Sequence, residues 1–364
     1  MRRAALPAIG ILGVAGIAAA DPWTVRMESG AEADSNVTRT EDTPVAAAVG
    51  RLGARIDYRD ELLGGKYIVN VSSLVRMVAS ARNKDESVML DVGELRWLHA
   101  VRGSSLAAGV HLTAADSFGV LVPTGARTYR NLGGDALLTL GHGEDHQLML
   151  GVGWRNFAYK QISAFDWRGP VASARFDTVL WHTPDRTRSL EFTAAAGFEA
   201  RSYDSMASFN CAPDGSGNSC PMDSTLRRRD RHQRGGLELI WTGEVVVTGS
   251  YQVTVVDSNS YRQSLIRQRI TAAATMEVVP ALFVSATATL QIDQYPEGVP
   301  GIDLLHQELT SLEDENRSSL QVLVTRALSK AWSLEVRGAI WRDFGTTGAS
   351  FGRELAYAGV LYQH

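Results

Sequence analysis

The amino-acid sequence predicts an all-β fold: a transmembrane antiparallel up-and-down β-barrel of about 16 strands (14–18), placed after a cleaved signal peptide. Three observations predict it. Apolar and polar residues alternate with period two over most of the chain, and helical periodicity is scarce. Many alternating runs reach about 10–13 residues, the length a tilted strand needs to cross a bilayer. The connections between runs alternate between short and long.

The address comes first. Residues 1–20 read MRRAALPAIGILGVAGIAAA. Arg2 and Arg3 form a positive n-region, Ala4 to Ile17 a short apolar segment, and Ala18-Ala19-Ala20 a small-residue cleavage site before Asp21. The segment is short and ends in small residues, which reads as a secretory signal rather than an anchor. The domain division is therefore 1–20 signal peptide and 21–364 barrel, exported into an oxidising space.

Alternation is clearest in three stretches. Leu190, Phe192, Ala194, Ala196 and Phe198 oppose Glu191, Thr193, Glu199 and Arg201. Val245, Val247, Tyr251, Val253 and Val255 oppose Thr248, Ser250, Gln252 and Thr254. Leu282, Val284, Leu290 and Ile292 oppose Ser285, Thr287, Thr289, Gln291 and Asp293. Such runs demand strands with one apolar and one polar face. The same reading places strands near 23–33, 45–58, 66–77, 86–101, 105–116, 128–140, 146–159, 166–181, 188–203, 228–241, 244–256, 261–277, 281–295, 317–327, 332–344 and 351–362. Short connections fall at Arg102-Gly103-Ser104, Gly143-Glu144-Asp145, Pro184-Asp185-Arg186, Thr242-Gly243, Val279-Pro280 and Ser329-Lys330. Long ones fall at Asp34–Pro44, Asp116–Arg127, Ser205–Thr225 and Pro296–Asn316. A soluble sandwich has no reason to sort its loops in this way.

Aromatic residues gather toward strand ends, among them Trp23, Tyr58, Tyr67, Phe157, Tyr159, Trp167, Trp181, Tyr203, Trp241, Trp332 and Tyr362. Two girdles at the headgroup layers are the expectation.

The opening run Glu28-Ser29-Gly30-Ala31-Glu32-Ala33-Asp34-Ser35-Asn36-Val37 resembles the G-x-x-x-D-S-N-V first strand of porin-like bacterial outer-membrane barrels. That resemblance implies a barrel in the Gram-negative cell outer membrane. Barrels of this class commonly end on an aromatic residue, whereas this chain ends Leu361-Tyr362-Gln363-His364.

With the apolar phase toward lipid, the pore-lining candidates are Arg51, Arg55, Asp91, Arg155, Arg175, Glu191, Glu199, Arg201, Arg267, Arg269, Asp293, Glu335 and Arg337. His111 and Asp135 share that phase. Two readings stand: a hydrated pore whose charges set solute preference, or a lumen closed by Arg–carboxylate bridges. Arg267 and Arg269, two apart on one face, would begin a basic ladder.

Cys211 and Cys220 flank a Gly/Ser/Asn-rich turn in the longest loop, and a disulfide is the favoured reading. A metal pair would lack nearby His or further Cys. Residues Gly301–Glu315 carry helical spacing, read as a short surface helix or, alternatively, a constriction at the mouth.

The chain carries 36 Lys and Arg against 40 Asp and Glu, a formal net charge of −4, which gives no basic stripe and no expectation of nucleic-acid binding. There is no Gly-x-Ser-x-Gly elbow, no His-Glu-x-x-His and no phosphate-binding glycine loop. His142 and His146 sit in a turn, where solvated polar residues are ordinary. No catalytic residue, metal site or cofactor is expected. The leading function is a porin-like channel for diffusion or export of hydrophilic solutes, such as small solutes or a polysaccharide. The alternatives are a structural barrel in a trans-envelope machine (secretion, polysaccharide export or motility) and, behind both, an outer-membrane hydrolase using His111 and Ser173. Expected partners are outer-membrane lipid, the solute, and either further copies of the chain or envelope-complex subunits.

Overall fold

The computed structural model describes residues 22–38, 44–62, 64–80, 82–122, 128–142, 145–160, 163–211, 220–296, 318–342 and 352–364. The signal segment 1–20 and the helical segment 301–315 lie outside the described residues. Sixteen antiparallel strands close into one barrel, each paired with its sequence neighbours and the first with the last. They are β1 (Trp23–Asp34), β2 (Ala47–Leu62), β3 (Gly65–Val78), β4 (Val88–Ala100), β5 (Leu106–Gly119), β6 (Tyr129–His142), β7 (His146–Tyr159), β8 (Trp167–His182), β9 (Ser189–Cys211), β10 (Cys220–Thr242), β11 (Val245–Ser258), β12 (Leu265–Val279), β13 (Leu282–Gln294), β14 (Ser318–Ala327), β15 (Trp332–Arg342) and β16 (Arg353–Gln363). Tight connections gather at one end of the barrel and longer ones at the other. Both described chain ends lie at the tight-turn end, where Val25 and His364 exchange backbone hydrogen bonds at 2.9 and 3.1 Å.

The alternation sorts as an inverted core. Leu52, Val152, Leu237, Ile270 and Val336 on the outer wall are 60, 62, 52, 52 and 57% exposed. Glu28, Glu32, Asp135, Glu199 and Asp293 alternate with that phase and make ion pairs inside. An apolar patch that encircles a whole molecule has no stable place in water, whereas a bilayer solvates it. Closure leaves no unpaired sheet edge, as hydrocarbon requires. The fold is a transmembrane antiparallel up-and-down barrel.

Charge on the outer phase, among the described strand residues, appears only at the two margins. Trp332 and Arg342 on β15 are ten residues apart, as are Trp241 and Arg231 on β10. Ten residues at about 3.3 Å each, tilted by about 40°, span about 25 Å along the barrel axis, the height of the apolar band in such barrels.

Aromatic rings mark the lower margin. Trp181 stacks on Trp241 at 5.7 Å, and tilted pairs join Trp23 to Tyr58 at 4.1 Å, Tyr58 to Tyr67 at 5.6 Å and Trp332 to Tyr362 at 4.9 Å. The expected upper girdle is different. Phe157, Tyr159, Trp167 and Tyr203 turn inward and, with Tyr129, form a buried cluster inside the long-loop mouth. Their position at strand ends was readable from sequence, but their phase was not.

Strands β9 and β10 each run 23 residues, well into the stretch 205–225 expected to be loop. Above Tyr203 and Asp230 the ladders to β8 and β11 end, and β9 and β10 go on pairing with each other through irregular register between Asp223 and Arg229, with Ser208 still held by Ser260 and Tyr261. Polar residues and the exposed Met206, Phe209, Met222 and Leu226 mix there without a period of two, so the alternation is lost.

Candidate functional site

The site is the inner wall, and its densest part lies where the barrel closes. Asp34 ends β1. Its carboxylate accepts from Arg353 Nε and Nη2 on β16 at 3.0 and 2.7 Å, and from Arg76 on β3. Arg76 Nε also donates to Glu32 at 2.8 Å. Arg51 on β2 reaches Glu28 at 3.3 Å and Glu32 at 3.5 Å, and Arg337 on β15 reaches Glu32 at 4.0 Å. The Tyr357 ring lies between the Arg51 and Arg337 guanidiniums, 5.5 and 5.4 Å from its centroid. It packs over Gly30, where a Cβ would sit 2.5 Å from Cε2 of the ring. Only glycine leaves room for that ring on the wall.

The run Asp34-Ser35-Asn36-Val37 acquires a physical reason here. Asn36 N–H donates to Asp34 Oδ1 at 3.0 Å, a turn closed by its own carboxylate. The Glu354 N–H donates to Ser35 Oγ at 2.8 Å, Asn36 Nδ2 donates to the Gly352 carbonyl at 3.3 Å, and Val37 is buried against Val49 and Val78. The motif locks the first strand to the last.

A second group spans β4 to β7. His111 bridges Glu94 through Nε2 at 2.9 Å and Asp135 through Nδ1 at 3.3 Å. Arg155 grips Asp135 with both terminal nitrogens at 2.8 and 2.7 Å. A third group covers β8 to β10. Arg175 pairs with Asp177 at 2.9 Å, Arg201 with Glu199 at 3.0 Å, Arg234 with Glu199 at 3.3 Å and Arg228 with Asp230 at 3.1 Å. Arg201 lies over Trp167 and Arg228 over Tyr203, both at 4.2 Å. On β12 and β13, Arg267 holds Asp293 at 2.9 and 2.7 Å.

Every ion pair resolved between strand residues joins the same strand or strands no more than two apart around the wall. Among the described residues the pairs run along the wall and not across the lumen. Such pairs hold side chains flat and leave their outer lone pairs and N–H groups to water.

Among the sequence candidates, Arg51, Arg55, Arg155, Arg175, Glu199, Arg201, Arg267, Asp293 and Arg337 sit in these inner groups. Glu191, accepting from Ser189 at 3.0 Å, and Arg269 and Glu335 share the inner phase. Asp91 does not: it is in register with Ser73 and Asp116 on the outer phase, opposite in parity to Glu94. Leu90 and Val92 take the inner positions, so β4 is apolar on both phases and its local pattern misassigns Asp91. Sequence reasoning missed Asp34, Glu32, Glu94, Arg228, Asp230, Arg234 and Arg353. The i, i+2 pairs Glu32/Asp34 and Arg228/Asp230 were the available signal, since two charges two apart share a face.

His111 and Ser173 do not come together: β5 and β8 are three strand spacings apart, about 14 Å around the wall. Among the described residues, no group of three or more His, Cys, Asp or Glu is arranged to hold a metal ion.

No family model and no curated protein matches the chain. Solved structures with a similar chain course include OmpT, an outer membrane protein of Vibrio cholerae, at 10% identity and TM-score 0.43, covering 96% of this chain and 100% of that one. Salmonella typhi OmpF in complex with daunomycin matches at 9% identity and TM-score 0.48, covering 94% and 97%. Pseudomonas aeruginosa OccK11 matches at 10% identity and TM-score 0.41, covering 94% and 95%.

Proposed function

We propose that this protein is a porin-like channel of the Gram-negative outer membrane, for diffusion or export of hydrophilic solutes. One observation carries the reading: among the described residues the inner wall is charged in both signs and its ion pairs lie along the wall, while the outer wall carries charge only toward its two margins, about 25 Å apart on β10 and β15. Charged walls keep water and guide polar solutes past low-dielectric surroundings. Residues 1–20 supply the export signal, cleaved before Asp21. The test is planar-bilayer recording on the full mature chain, folded and checked by its heat-modifiable gel mobility. Stepwise conductance supports the channel. Folded, inserted protein that passes no current overturns it.

The β9–β10 hairpin favours a second role as a docking element for an envelope complex, because its pairing runs on beyond the ladders of β8 and β11. At its tip the register sets Cys211 directly opposite Cys220. We assign a disulfide to this pair, formed after export.

A further inference from the structure

The outer wall of β8 to β10 carries a feature that conduction does not use. Arg227, Arg229 and Arg231 follow one another at i, i+2 on the outer phase of β10, above Leu237, Leu239 and Trp241. Arg168 on β8 shares the row of Arg229, with Ser202 of β9 between them. Two strand spacings set their backbones about 10 Å apart. All four arginines are exposed.

Their height is fixed by the strand. Arg231 stands ten residues above Trp241, where the apolar band of about 25 Å ends, and Arg229 and Arg227 stand higher. Elsewhere at this margin the outer cations of the described strands are paired. Asp116 is shared by Arg130 and Lys160, and Arg342 meets Glu354 at 2.8 Å. Here Arg227 reaches Asp204 at 3.3 Å, but Arg168, Arg229 and Arg231 make no ion pair among the described residues. Asp257 faces Arg231 in register without closing to it.

Directly below, the same wall holds an apolar hollow of about 400 Å³. It is lined by Ala174 and Phe176 of β8, Ala196 of β9, Gly235 and Leu237 of β10 and Tyr251 of β11. Small residues on adjacent strands make a recess between larger ones, sized for an acyl chain rather than for a polar solute.

We propose that this face binds a phosphorylated lipid of the leaflet at the long-loop end. An acyl chain lies in the Ala174/Ala196/Gly235 hollow and the headgroup phosphate rests on Arg168, Arg229 and Arg231. A guanidinium offers paired N–H donors that match phosphate oxygens, and the interfacial layer weakens competition from water. The inference rests on the membrane reading above.

Native mass spectrometry of the full mature chain in detergent micelles tests it, with three probes: lipopolysaccharide, the same lipid stripped of its phosphates, and inorganic phosphate. The wild-type protein is expected to retain a lipopolysaccharide adduct. The triple variant Arg168→Gln/Arg229→Gln/Arg231→Gln is expected to bind it about tenfold more weakly or worse, as lost charge-assisted hydrogen bonds imply. The stripped lipid is expected to bind poorly to both, and millimolar inorganic phosphate to displace nothing. Ala196→Trp, which fills the hollow and leaves every charge in place, is expected to weaken the adduct too, and serves if the triple variant does not fold. Arg130→Gln should change nothing. Equal lipopolysaccharide retention by wild type and variants overturns the proposal, as does displacement by inorganic phosphate, which would mark a site for the free ion. A chain that inserts into phosphatidylcholine vesicles but shows no such difference fails this inference alone. A chain that does not insert fails the membrane reading itself.

Discussion

Arg353, the first residue of the last strand, grips Asp34, the last residue of the first strand, with Nε at 3.0 Å and Nη2 at 2.7 Å, and both side chains are almost wholly buried. The pair spans the only junction of the barrel whose two strands are not neighbours in sequence. A hairpin closes its own register through its turn, but β1 and β16 have no turn between them. The carboxylate and the guanidinium supply that register, with Arg76 as a third member.

Asp34→Ala is therefore expected to remove the carboxylate that the buried Arg76 and Arg353 guanidiniums share and to cost about 3 kcal/mol or more. The temperature at which the folded band converts to the unfolded band in SDS gels should fall. Arg353→Lys, which keeps charge but loses the fork, should fall between wild type and Asp34→Ala.

Leu237 sits four residues above Trp241, within the apolar band. Leu237→Arg is expected to destabilise the barrel in lipid vesicles by about 2–4 kcal/mol, measured by urea unfolding. The same change on a water-facing surface would be close to neutral.

Gly30 leaves room for the Tyr357 ring. Gly30→Val places a side chain into that ring and is expected to cost about 1–3 kcal/mol. Loss of the wild-type unfolding midpoint in the same urea titration checks it, and Tyr357→Ala should restore part of the loss in the double variant.

Arg267 and Asp293 cancel each other in the lumen. Arg267→Gln exposes a negative carboxylate, so the reversal potential in a KCl gradient should move toward cation preference. Asp293→Asn should move it the other way. A wall that carries no current path would show neither shift.

Cys211 and Cys220 face one another in register. Protein secreted with its signal peptide is expected to weigh two hydrogens less than its reduced form, with no thiol open to alkylation until a reductant is added.

The barrel was legible because lipid imposes a period of two on every crossing strand and turns of two kinds on the two ends. All sixteen strands could be located on that basis, and the inner phase of Arg267 and Asp293 with them. What the pattern lacked was information carried by neighbours. Asp91 lies in a strand with apolar residues on both phases, so only its partners Ser73 and Asp116 reveal its face. Phe157 and Trp167 looked like headgroup anchors because strand ends attract rings on either side of the wall. The Asp34–Arg353 clasp joins residues 319 apart in sequence, and no local window contains both. The upper half of β9 and β10 escaped notice because a ribbon in water keeps its pairing without keeping alternation.

An even number of crossings returns the chain to the side from which it set out. Anything joined to Trp23 or to His364 would emerge from the same face of the membrane, beside the tight turns. A reporter fused at either end should stay shielded from protease added outside intact cells, while one inserted at the tip of the β9–β10 ribbon should be cut.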